Sequence, residues 1–149
     1  MNIEPYDLDI TDSMMSLLLM ADPDKSEVKR YLEGASIIVA KDKSELIGIA
    51  VLVTENDKFE LINIAVDENS QGKGVAKLLI HEVMVLAKKM GATELIVGTG
   101  NSSLSQLALY QKCGFRMNYI KKDFFASYSE PIYENGIRCI DMVVLHAKL

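Results

Sequence analysis

A glycine-rich turn, Gln71-Gly-Lys-Gly-Val-Ala76, joins the apolar run 61–66 to a long amphipathic helical pattern over 75–90. Such a turn opens the helix with backbone N–H groups that have no intrahelical partner, and the helix dipole adds partial positive charge there. Together these favour a phosphate group. Gly72 and Gly74 carry no Cβ, so a ligand can come close to the main chain. Lys77 stands where a dinucleotide fingerprint needs its third glycine, and no Gly-x4-Gly-Lys-Ser/Thr loop occurs in the chain. The turn is therefore neither of these, and reads as another class of phosphate loop or as a glycine-rich helix entry with no ligand.

The rest of the composition is that of one ordinary domain. The chain has 149 residues, 49% hydrophobic and 25% charged, enough to bury a real core. A net charge of −5 without a long basic block argues against nucleic acid as partner. The apolar run 14–21 is too short to span a bilayer. It follows Glu4, Asp7, Asp9 and Asp12 rather than Lys or Arg, so it is not read as a signal peptide, and no membrane partner is expected. Two cysteines and two histidines argue against a zinc site and suit a reducing cytoplasm.

Periodicity and turn residues predict an alternating order. Residues 2–9 read as a strand. Thr11 or Asp12 caps a helix to about Met20, Asp22-Pro23-Asp24 breaks it, and a short helix over 25–33 ends at Gly34. Three β-rich runs, 36–41, 46–54 and 59–66, look like an antiparallel meander. In the helix 75–90, Val75, Leu78, Leu79, Val83, Leu86 and Met90 recur at helical spacing, and Gly91 stops it. A strand over 94–98 follows, and strand–helix–strand 61–98 is expected to cross over right-handed. Ser103-x-x-Gln106 reads as a capping box opening a helix that ends at Gly114. Runs 115–120 and 139–146 read as the closing strands around a long aromatic segment, 121–138.

Gln71-x-x-Gly74-x-Ala76 matches Gln/Arg-x-x-Gly-x-Gly/Ala, and with this element order the chain resembles the GNAT family of N-acetyltransferases, small bacterial members above all. Leu109-Tyr-Gln-Lys-Cys-Gly-Phe115 is similar to the family's Leu-Tyr-x-Lys-x-Gly-Phe signature. The resemblance implies an α/β (α+β) fold, a mixed central sheet of about seven strands with helices on both faces, in a single domain over 1–149. It implies an enzyme that moves acetyl from acetyl-CoA directly to a primary amine. It assigns to the cofactor Ile64, Ala65 and Val66 on the thioester strand, Gln71, Gly72, Lys73, Gly74, Val75 and Ala76 in the loop, and Asn101, Ser103 and Tyr110 further on. The backbone N–H at or near Ile64 is the expected oxyanion donor.

The chemistry needs a neutral amine and a stabilised leaving thiol. Alkyl amines have pKa about 10.4 and are mostly protonated at neutral pH, and a carboxylate near the cleft could accept the proton directly or through water. Glu60, eleven residues before Gln71, has a spacing that resembles the catalytic glutamate of some members. The competing reading is a solvent-facing charge at a strand start. Strand alternation places Glu60, Ile62 and Ile64 on one face and Leu61 and Asn63 on the other. Tyr110 is the expected general acid or thiol-orienting group; its plain alternative is a core tyrosine. Cys113 and Cys139 read as packing residues, His81 as surface, and His146 as partnerless.

For the acceptor, the resemblance points to the first two helices and segment 121–138, which are rich in acids and aromatics. That composition suits a small cationic amine. A peptide or protein amine is the alternative, as is a non-catalytic acyl-CoA-binding sensor. Apolar surface in the closing strands and the aromatic segment suggests a homodimer.

Overall fold

A computed structural model describes residues 1–149. The main sheet is mixed and has seven strands. The chain divides into two compact units, residues 1–93 and 94–149.

The first unit runs β1 (Asn2–Tyr6), α1 (Asp12–Ala21), α2 (Lys25–Leu32), β2 (Ser36–Asp42), β3 (Glu45–Glu55), β4 (Lys58–Val66), a single 3₁₀ turn (Glu68–Ser70) and α3 (Val75–Lys89). The four strands pair antiparallel in chain order. Two-residue turns, Lys43-Ser44 and Asn56-Asp57, join β2 to β3 and β3 to β4. All four residues have positive φ, the handedness that matches strand twist in tight hairpins.

Thr11 caps α1, its hydroxyl oxygen accepting from the Met14 N–H at 3.2 Å. Asp24 caps α2 by accepting from the Glu27 N–H at 3.2 Å. Met14, Leu17 and Leu18 recur three and four apart and are buried, as are Val28 and Tyr31 on α2. They form one core with Ile37, Val39, Ile49, Val51 and Ala65 of the strands. The opposite face of the sheet takes α3. A Cβ on Gly48 would lie 3.0 Å from Leu79 and 3.3 Å from Val75, so glycine lets that helix sit close. The buried stripe of α3 is Val75, Leu79, Ile80, Val83 and Ala87. Leu78 and Met90, expected in that stripe, are exposed. Ile80 and Ala87 complete it, one turn from Val83 on either side.

The second unit runs β5 (Glu94–Gly100), α4 (Leu104–Lys112), β6 (Arg116–Lys121), β7 (Tyr133–Glu134), β8 (Ile137–Arg138) and β9 (Met142–Lys148). β9 lies between β5 and β6, antiparallel to both. Within the segment read as one aromatic stretch, Asn135-Gly136 makes a tight turn, φ +54° and +74°, and closes the β7–β8 hairpin. β9 begins at Met142 rather than Cys139, because side-chain bonds from Asn101 engage the amides of Ile140 and Asp141. The Ser103 hydroxyl does not cap α4. It donates to Glu134 at 2.9 Å, so the expected capping box is replaced by a contact with the hairpin. No helix is long and apolar enough to cross a membrane.

Candidate functional site

The loop between β4 and α3 has the geometry expected of an anion cradle. Gly72 and Gly74 have φ of +77° and +81°, the left-handed region that glycine enters without strain. Gly74 is the N-cap of α3 and no side chain caps it. The first helical bond runs from the Leu78 N–H to the Gly74 carbonyl, so the amides before it have no helical partner. No acid lies in the first turn, whereas Lys73 and Lys77 flank it, both exposed. Cations at the positive end of a helix oppose its dipole. A bound anion reverses that cost. The Gln71 amide nitrogen donates to the Val66 carbonyl at 3.1 Å, tying the loop to the end of β4. A Cβ on Gly72 or Gly74 would meet nothing within 4 Å, so the space beside the loop is open.

A bulge in β4 changes which side chains share a face. Val51 pairs with Asn63 and Leu52 with Leu61, which leaves Ile62 as the extra residue. Cross-strand partners share a face. Val53 pairs with Glu60, and Val51 and Val53 are two apart on β3. Glu60 and Asn63 therefore lie on the same face, the one that carries the α1–α2 core. Ile64, paired with Ala50, and Val66, paired with Gly48, lie on the α3 face. Simple alternation, which groups Glu60 with Ile64 and Asn63 with Leu61, is corrected by this one inserted residue. Ala65 packs in the α1–α2 core.

Sequence reading missed Asn63 as a polar centre. It is 4% exposed. Its amide nitrogen donates to the Leu18 carbonyl at 3.0 Å and to the Tyr31 hydroxyl at 2.8 Å. Tyr31 donates in turn to Asp22 at 3.4 Å. Burial pushes the Tyr31 hydroxyl up to about 12, and burial also raises the Asp22 carboxyl. The available signal was an amide in the middle of Leu61-Ile-Asn-Ile-Ala-Val66, where every neighbour is apolar.

In the second unit, Tyr110 is 4% exposed and stacks edge-on against Phe115 at 5.7 Å. Burial first, and Cys113 second, push its hydroxyl up to about 12, so it stays protonated at neutral pH. Asn101 is a brace. Its oxygen accepts from the N–H groups of Ile140 and Asp141 at 2.8 and 3.0 Å, and its nitrogen donates to the Arg138 carbonyl at 3.1 Å. One amide hydrogen of Asn101 remains beyond these bonds. Ser102 joins Ser103 in donating to Glu134. Phe124, Phe125 and Tyr128 pack edge to face. His146, expected to stand alone, pairs with Glu94. Cys139 is buried, Cys113 half-buried, and neither is in a disulfide.

Residues 9–115 match the model of the Acetyltransferase (GNAT) family. The chain is 46% identical over 140 residues to the uncharacterised N-acetyltransferase YvbK of Bacillus subtilis, covering 93% of this chain and 90% of that protein. A crystal structure of a Bacillus subtilis acetyltransferase in complex with CoA is 46% identical. It superposes with a TM-score of 0.94 over 99% of this chain and 97% of the other. A GNAT family acetyltransferase from Elizabethkingia anophelis with acetyl-CoA bound is 43% identical, with a TM-score of 0.93 over 99% and 97% of the two chains.

Proposed function

The chain belongs to the GNAT family of acetyltransferases, and from that premise we propose that it transfers acetyl from acetyl-CoA directly to a primary amine of a small cationic molecule. The observation that carries this reading is the uncapped, glycine-opened N-terminus of α3 with its two flanking lysines. Relatives above 40% identity over nearly the whole chain hold CoA or acetyl-CoA. In this reading the pyrophosphate sits on the amides of residues 72–76. Asn101 serves the cofactor through its remaining side-chain N–H and Ser103 through the acceptor capacity of its hydroxyl oxygen, since their backbone N–H groups are engaged with Asp141 and Gly100 and their side chains also brace the fold.

The amine nitrogen attacks the thioester carbonyl carbon, the C–S bond breaks, and the nitrogen loses a proton. Glu60 accepts that proton, directly or through water. The Ile64 N–H stabilises the oxyanion. Tyr110 serves the departing sulfur. An alkyl thiol has pKa about 8.5. Full proton transfer from a hydroxyl near 12 is therefore uphill, and Tyr110 acts by donating a hydrogen bond to the developing thiolate. Two cysteines outside any disulfide fit a cytoplasmic location. The exposed apolar side chains of β6 fit a homodimer.

Thiol release from acetyl-CoA across a panel of primary amines tests the reading. Amine-dependent release is expected. Tight CoA binding without turnover on any amine, small or peptidyl, would instead make the protein an acyl-CoA-binding module.

A further inference from the structure

We propose that the junction of α1 and α2 is a primary-ammonium subsite in which the Asn63 side-chain oxygen and the Asp22 carboxylate take the acceptor's N–H groups. This rests on the amine-transfer reading and names the residues that select the acceptor.

Asn63 is 4% exposed, and its oxygen is buried without a hydrogen-bond partner. The amide cannot be turned to relieve this. Its nitrogen faces the Leu18 carbonyl at 3.0 Å, and turning it would set two oxygens against each other. A buried acceptor without a donor weakens the folded state unless something supplies an N–H or O–H. The Leu18 carbonyl already accepts from the Asp22 N–H at 3.0 Å, so α1 does not need Asn63 to complete its last turn.

Asp22 is independently misplaced for stability. It is the C-cap of α1, where the dipole disfavours a carboxylate. It is half-buried, and the charges that act on it, Asp24 and Glu27, have its own sign. Arg30 of α2 is engaged with Glu27, and neither it nor Lys25 is among the charges that act on Asp22. Tyr31 links Asp22 to Asn63, donating to the first and accepting from the second. One polar chain thus holds an unused acceptor at its buried end and an unneutralised carboxylate at its open end.

A primary ammonium answers both needs. It has three N–H groups. One goes to Asn63, one to Asp22, and the third is the proton that Glu60, on the same face of β4, accepts before attack. Tertiary amines, alcohols and carboxylates lack this set of donors and are excluded.

The test is a titration of n-propylammonium chloride, with n-propanol as the matched neutral probe, into ¹⁵N-labelled protein in the presence of CoA. The ammonium is expected to shift the Asn63 side-chain NH₂ signal and the backbone signals of Asp22 and Tyr31; propanol is not. The shifts should vanish in Asp22→Asn. Because no acetyl transfer is involved, shifts that map elsewhere, or that survive Asp22→Asn, overturn the subsite whatever the enzyme does. For any amine that is acetylated, Asp22→Asn should raise the acceptor KM roughly tenfold or more and leave the acetyl-CoA KM unchanged. An unchanged acceptor KM would overturn the subsite and leave the transfer reading standing. Asn63→Leu, of similar shape, should keep Tm or raise it while abolishing the ammonium response. A fall in Tm with that response intact would make Asn63 a structural bracket only.

Discussion

Tyr110, Glu60 and Asp22 each carry a different kind of consequence. Tyr110→Phe should lower kcat by about a hundred- to a thousandfold, the range for losing one hydrogen-bond donor to developing negative charge, and leave acetyl-CoA affinity intact. With the hydroxyl near 12, ionisation of Tyr110 should not limit the rate up to pH 9, so a kcat profile that falls below that pH reports another group. Glu60→Gln should cost most near neutral pH, where the amine is protonated, and least above about pH 10.4, where the amine is already neutral. A uniform loss would point to acceptor binding. Asp22 has a sign that can be worked out. Its folded pKa lies above the ordinary 3.8, so the folded state holds the proton more tightly. The stability it contributes is present below the unfolded pKa and is lost as pH rises through the folded value. Asp22→Asn should therefore raise Tm at neutral pH and change it little in acid below both values; equal Tm shifts at both pH values would contradict this.

At the scale of elements, α1 should respond to its cap. Thr11→Ala removes the acceptor for the Met14 N–H and should cost about 1 kcal/mol in urea unfolding. Most elements were legible in the sequence because local chemistry dictates them. Thr11 and Asp24 mark helix starts, Gly91 and Gly114 mark stops, and the phosphate loop announces itself by two glycines before an amphipathic run. What was not legible depends on partners distant in sequence. The bulge at Ile62 is set by register against β3, and it moves Asn63 to the face of Glu60. Ser103 reads locally as a cap but bonds Glu134, thirty-one residues on. Asn101 takes its acceptor role from amides thirty-nine and forty residues away. The β7–β8 hairpin was readable in principle, since Asn135-Gly136 is a strong turn signal. Its strands are only two residues each, too short for alternation to register.

At the scale of the whole molecule, β6 leaves all six residues exposed, with Met117, Tyr119 and Ile120 each more than half accessible. Pairing two β6 edges antiparallel about a twofold centred between Asn118 and Tyr119 would set Arg116 against Lys121, like charges face to face. The apolar faces are thus the expected contact of a homodimer, and Ile120→Lys should shift sedimentation toward monomer. A wild-type monomer at tens of micromolar would remove the dimer. The account as a whole depends on the loop that opens α3. Calorimetric titration of acetyl-CoA into wild type and Gly74→Val, with folding checked by circular dichroism, tests it most directly. A branched side chain at φ +81° strains the turn and fills the open space over the amides. The account predicts that folded Gly74→Val loses at least about tenfold in affinity; unchanged affinity would place the cofactor elsewhere and contradict it.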